Sequence, residues 1–141
     1  MNLGRLWFWS ITVALGGFLF GFDTAVRTAT EALEKLQTTA ESHHRVMVLE
    51  VMGRYAGWIG LVAGIAGGAD AILIPEIPFD IDVVCEKILA LQASGRHYSL
   101  VVVAEGARAK DGERQYYLQG STPGQNKLGG IGHMVGSMIA D

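Results

Sequence analysis

Two charged side chains in this sequence fall where ligand chemistry is usually built. Arg54 follows an apolar run and a glycine in RVMVLEVMGRYA, residues 45–56, and Glu105 follows a second apolar run in VVVAEGA, residues 101–107. A guanidinium offers a planar fork of donors that matches a phosphate, and a carboxylate at the end of a buried strand can accept from sugar hydroxyls or orient a metal. Both residues also have plainer roles open to them: Arg54 as an arginine at the start of a solvated helix, Glu105 as a loop residue.

Other chemistry is thin. His43 and His44 have no partner at metal-ligand spacing and read as surface or packing residues, as does His133. The single cysteine, Cys85, excludes an internal disulfide framework and a multi-cysteine metal site. There is no GxxxxGK[ST] phosphate loop, no HExxH and no nucleophile-elbow serine. Phosphoryl transfer needs a cradle for the donor phosphates, a magnesium carboxylate and a group that orients the acceptor hydroxyl. One arginine and one glutamate at strand ends make an incomplete acceptor pocket.

The elements that must position these residues follow from periodicity. Residues 46–51 form a nearly continuous apolar run, the pattern of a strand covered on both faces in a parallel sheet. Gly53 turns the backbone, and a helix is expected from Arg54 or Tyr55 to about Ile65, ended by the glycines at 64, 67 and 68. A second strand is expected at 71–74, followed by the rigid loop PEIPFDID with Glu76. Asp80 caps the next helix, whose inner face is Ile81, Val84, Cys85, Ile88 and Leu91, so that Cys85 is expected to be buried and inert. Gly95 closes that helix, and a third strand runs from 98 to 103. Strands alternating with helices predict an α/β fold with a small parallel sheet covered on both faces. Residues 108–125 read as a long loop, and a terminal helix starts near Ile131 with Ile131, Val135, Met138 and Ile139 on one side.

Length and composition bound the rest. The 141 residues suit one domain with a real core. A net charge of −3 without a basic run excludes a nucleic-acid binder that tracks the phosphate backbone.

The N-terminus differs in character. Residues 6–22, LWFWSITVALGGFLFGF, carry no charged side chain and lie between Arg5 and Asp23. This approaches the roughly 20 apolar residues of a spanning helix. It reads either as a membrane-seeking segment or as an apolar helix of a soluble protein, standing apart from the α/β core. A separate amphipathic helix is expected after it, capped by Asp23, with Phe22, Val26, Ala29, Leu33 and Leu36 on its packed face.

Residues 21–106 closely resemble the middle of bacterial-type 6-phosphofructokinases in GFDTAVRTATEA, TTAESHHRVMVLEVMGRYAGW, AGIAGGAD, ILIPEIPFDI and VVVAEGA, and the resemblance continues more weakly to 138. It implies the partial three-layer parallel sheet of that family and an activity that phosphorylates the 1-hydroxyl of fructose 6-phosphate, with magnesium and ATP or pyrophosphate. Carried over by position, Met52 and Gly53 resemble the sugar-phosphate-binding turn, and Arg54 resembles the catalytic arginine near the transferred phosphoryl group. Glu105 resembles the ligand of the sugar hydroxyls. Arg45 resembles the arginine that reaches a neighbour's 6-phosphate across a subunit boundary, which implies further copies of the chain as partners.

The sequence also departs from that family. It contains no donor-binding GGDGS or GGDD segment, no TxDND-type catalytic loop and no LGHxQRGG segment. Acceptor-side pieces remain, so neither magnesium nor either donor is expected to bind well, and the chain alone is expected to be inactive. Residues 10–26, SITVALGGFLFGFDTAV, resemble instead the first transmembrane helix of major facilitator sugar porters. The combined expectation is a transporter-like leader helix over 1–22 and a truncated phosphofructokinase-like domain over 23–141. The resemblance implies a cytoplasmic place for the kinase-like part, and the leader implies a membrane contact through residues 6–22, with a noncatalytic membrane-associated fragment as the alternative reading.

Overall fold

Leu100, Val101, Val102, Val103 and Ala104 are each at most 1% exposed, and the strand they form lies at the middle of the sheet. A run without polar alternation needs cover on both faces, and the fold supplies it. The computed structural model describes residues 3–110, 112, 116–118, 127–128 and 130–140. Within these, the order is α1 (Leu3–His43), β1 (Val46–Val51), α2 (Trp58–Ala66), β2 (Ala71–Leu73), α3 (Ile81–Ala93), β3 (Ser99–Ala104), β4 (Tyr116–Leu118), β5 (Lys127–Leu128) and α4 (Ile131–Ala140).

The three expected parallel strands are present within a residue of their predicted limits, and β3 inserts between the other two to give the order β1-β3-β2. Val46 pairs with Ser99 and Val51 with Ala104, while Leu73 of β2 pairs with Val103. Alternate residues of β3 serve opposite layers. Val101 and Val103 join Leu73, Val84, Ile88, Ile131 and Val135 beneath α3 and α4. Val102 and Ala104 face α2, where a Cβ on Gly60 would lie 3.5 Å and 3.9 Å from their side chains. The result is helix, sheet and helix, the expected three-layer arrangement.

Several local expectations change. The helix after β1 begins at Trp58, leaving Arg54 and Tyr55 in the connecting bend. Gly64 does not end it: inside the helix, a Cβ at this position would lie 2.7 Å from Ile72 Cδ1, so glycine is needed for α2 to sit close on the sheet. Asp80 does cap α3, accepting from the Asp82 N–H at 3.1 Å, and Gly95 follows the helix with φ +93. Cys85 is half-buried rather than buried, because α3 meets the sheet mainly through Val84 and Ile88. Tyr116–Leu118, inside the stretch read as a loop, is a strand paired antiparallel with Lys127–Leu128. Positions 111, 113–115 and 119–125 of that stretch lie outside the described residues.

The largest correction concerns the N-terminus. One continuous helix runs from Leu3 to His43, so Asp23 is an exposed mid-helix residue and caps nothing. Its C-terminal half holds the body: Ala29, Leu33 and Ala40 are buried, and a Cβ on Gly67 would lie 2.7 Å from Leu33 Cδ1. Among the described residues no helix is long and apolar enough to cross a membrane. Past Phe22 the same helix carries Asp23, Arg27, Glu31, Glu34 and Lys35, so the apolar segment is one end of an amphipathic helix.

Candidate functional site

Because β1 and β3 are parallel neighbours, the segments that leave them emerge side by side. Met52, Gly53 and Arg54 follow β1, and Glu105 and Gly106 follow β3. The ladder continues beyond the strands: the Glu105 N–H donates to the Val51 carbonyl at 2.9 Å and the Gly106 N–H to the Gly53 carbonyl at 3.1 Å. Ligands in open α/β sheets bind at this carboxyl edge.

Two glycines make the approach of these turns possible. A Cβ on Gly106 would land on the Arg54 carbonyl and 2.8 Å from the Gly53 oxygen. A Cβ on Gly53 would lie 3.0 Å from Ala104 Cβ and 3.1 Å from the Ala56 carbonyl. Both glycines are buried, whereas Arg54 and Glu105 are half-buried and Met52 is 69% exposed. Backbone contact therefore fixes the Cα positions of Arg54 and Glu105, and both side chains retain contact with solvent.

A third connection reaches the same edge. Glu76, in the loop after β2, accepts from the Gly57 N–H with both carboxylate oxygens, at 2.8 Å and 3.1 Å. Gly57 is the N-cap of α2, so this carboxylate satisfies an otherwise orphan donor and lies at the positive end of the helix. The segment PEIPFDID places Glu76 in a rigid loop but carries no sign of this partner. Only the fold brings it to a residue 19 positions away.

Arg45 is not part of this cluster. It precedes the first residue of β1, so the length of that strand, roughly 20 Å at about 3.3 Å per residue, separates it from Met52 and Gly53. It is exposed at the opposite edge of the sheet.

The histidines do not form a metal site. His44 meets His97 edge-on with ring centroids 5.7 Å apart, and among the described residues no group of three His, Cys, Asp or Glu could hold a metal ion. Two other carboxylates that sequence reasoning missed have structural partners. Asp70 pairs with both terminal nitrogens of Arg96, at 2.9 Å and 3.0 Å, and accepts from the Leu100 N–H at 2.9 Å. Glu50 accepts from the Gly130 and Gly132 N–H groups at 3.2 Å and 2.9 Å, at the start of α4. Both are contacts between segments 26 to 82 residues apart, for which local spacing carries no signal.

The family profile described as Phosphofructokinase matches residues 13–141. That match begins inside residues 10–26, so the resemblance of this stretch to sugar porters is not sustained. An ATP-dependent 6-phosphofructokinase of Chloroflexus aurantiacus is 58% identical over 120 residues, 85% of this chain and 32% of the relative. The ATP-dependent 6-phosphofructokinase 2 of Clostridium perfringens is 55% identical over 117 residues, 82% of this chain and 32% of the relative. Among solved structures, the pyrophosphate-dependent phosphofructokinase of Nitrosospira multiformis superposes with a TM-score of 0.62 at 27% identity, covering 82% of this chain and 27% of that one. The phosphofructokinase of Saccharomyces cerevisiae gives 0.57 at 41% identity, over 61% of this chain and 12% of that one. The chain spans about a third of the length of the curated relatives it matches.

Proposed function

Because the chain belongs to the phosphofructokinase family, we propose that its carboxyl-edge cluster is the sugar-phosphate side of a 6-phosphofructokinase pocket. The whole enzyme would transfer a phosphoryl group to the 1-hydroxyl of fructose 6-phosphate. Met52 and Gly53 form the turn on which the sugar phosphate rests, the Arg54 guanidinium faces the transferred phosphoryl group, and Glu105 accepts from sugar hydroxyls. The observation that carries this reading is the backbone contact between Gly106 and Arg54, which holds a cationic fork and a carboxylate at one sheet edge before any ligand arrives. Such preorganisation lets the interaction energy appear as affinity instead of being spent on ordering loops.

The relatives named above at 55% identity and higher carry ATP in their names, whereas the pyrophosphate-dependent structure is 27% identical, which favours ATP as donor. The described residues offer no cluster of metal-binding side chains. By themselves they do not make up a magnesium site. Arg45, remote from Arg54 along β1, suits a contact to the 6-phosphate in a neighbouring copy better than one in its own chain. That role implies a homo-oligomer in the cytoplasmic setting of glycolysis.

The test separates sugar from phosphate. Glu105→Gln should weaken fructose 6-phosphate binding severalfold while leaving inorganic phosphate binding at Arg54 unchanged, both measured by calorimetry. An equal loss for the two ligands, or no loss for either, would contradict the assignment of Glu105. The 141-residue chain incubated with ATP, magnesium and fructose 6-phosphate should give no fructose bisphosphate.

A further inference from the structure

The bend that carries Arg54 is pinned at both ends. Residues 52–57 join β1 to α2; Gly53 and Gly57 are buried, and the three residues between them are half-buried or exposed. At the first glycine, the Gly53 carbonyl accepts from the Gly106 N–H at 3.1 Å, which ties this end to the turn after β3. At the second, the Gly57 N–H donates to both carboxylate oxygens of Glu76, at 2.8 Å and 3.1 Å. Arg54 sits in the short arch between these two fixed points.

The Glu76 side of the clamp has a firm base. Pro75 and Pro78 flank Glu76 and Ile77, and each ring fixes its own φ. The Ile77 N–H donates to the Ile74 carbonyl at 3.3 Å, and Phe79, only 5% exposed, donates its N–H to the Arg108 carbonyl at 3.0 Å. Because β1 and β2 are the outer strands, with β3 between them, the Glu76–Gly57 contact ties together two connections whose strands do not touch.

A helix cap alone needs no such reach, since a serine or aspartate at the N-cap position would satisfy the same donor locally. That route is closed at Gly57, where a Cβ would lie 2.5 Å from Ile74 Cβ and 3.0 Å from Pro75 Cδ. The carboxylate comes instead from a residue 19 positions away, so the hydrogen bond that caps α2 also fixes where the bend ends.

We propose that Glu76 is a positioning residue for Arg54, an assignment that rests on the sugar-phosphate reading of the cluster. By holding Gly57 against the loop after β2, Glu76 sets the span of the arch and keeps the guanidinium in place for a phosphate without touching the ligand. Without the carboxylate, the arch gains conformations that binding must then remove.

Calorimetric titration of inorganic phosphate and of fructose 6-phosphate into the full chain tests the clamp, with Arg54→Ala as the reference. Glu76→Ala should weaken both ligands by the same factor, about 2- to 10-fold, the cost of ordering one long side chain again on binding. Glu76→Gln, which keeps one accepting oxygen for Gly57, should recover part of the loss, and it carries the test if the alanine variant fails to fold by circular dichroism. The deciding readout is the coupling: in the Arg54→Ala background, either change at Glu76 should cost no further affinity for fructose 6-phosphate. Binding like that of the parent in both Glu76 variants would overturn the positioning role and leave the sugar-phosphate reading standing. So would equal losses with and without the Arg54 side chain, which would make Glu76 a support of the fold alone. An Arg54→Ala variant that binds like the parent would overturn the sugar-phosphate reading, and the role of Glu76 with it.

Discussion

Gly106 lies directly against the carbonyl of Arg54, and its own N–H donates to the neighbouring Gly53 carbonyl at 3.1 Å. A side chain at Gly106 would have to displace backbone, which cannot rotate away as a side-chain tip can. The contact binds the turn after β1 to the turn after β3, so stability and the placement of Arg54 and Glu105 depend on the same few atoms.

Gly106→Ala should therefore destabilise the chain by about 1–3 kcal/mol or more through overpacking, and sugar-phosphate affinity should fall with it. Gly16→Ala is the contrasting change: it lies in a helix interior with open space around it, and α1 helicity should rise slightly, by up to about 1 kcal/mol of helix propensity. Denaturant titration and circular dichroism of the two variants check both signs.

Glu50→Ala should loosen α4 specifically. The Glu50 carboxylate accepts from Gly130 and Gly132 at the helix start, and losing a charged cap costs about 1–2 kcal/mol. Hydrogen exchange should speed up in the amides of residues 131–140, while those of α2 keep their protection.

Arg96→Ala should cost more than an ordinary surface change. It strips the bidentate partner from an Asp70 side chain only 7% exposed, and it removes the guanidinium stacked 4.5 Å from the Tyr98 ring centroid. Arg96 itself is 34% exposed, so about 2–4 kcal/mol is expected, toward the low side of a fully buried pair. The denaturation midpoint should shift down, and Arg96→Lys, which keeps the charge but loses the fork, should recover only part of it.

How much of this was legible in the sequence depended on the range of the interaction. β1, β2 and β3, the Asp80 cap and the glycine after α3 are local patterns, and each appears where periodicity placed it. That Arg54 and Glu105 share one edge of the sheet was legible because strand-end residues in a parallel sheet do so whatever the sheet order. Glu76 on Gly57, Asp70 on Arg96 and Glu50 on Gly132 were not, because their partners are 19 to 82 residues away. The N-terminus misled for a different reason. A charge-free stretch ending in Asp23 looks like a separate helix with its own cap, yet Asp23 is tolerated at an exposed position and no proline interrupts the chain before Pro75. Gly64 misled likewise, since glycine at a close helix–sheet contact and glycine at a helix end are the same letter.

Calorimetric titration of fructose 6-phosphate into the parent chain and into Arg54→Ala, at low salt where charge interactions are least screened, tests the sugar-phosphate assignment most directly. Binding by the parent is expected, with a loss of about 10- to 100-fold in the variant, the range for a charge-assisted hydrogen-bonded contact of about 1.5–3 kcal/mol, and an unchanged circular-dichroism spectrum. Equal affinity in the two proteins would contradict it.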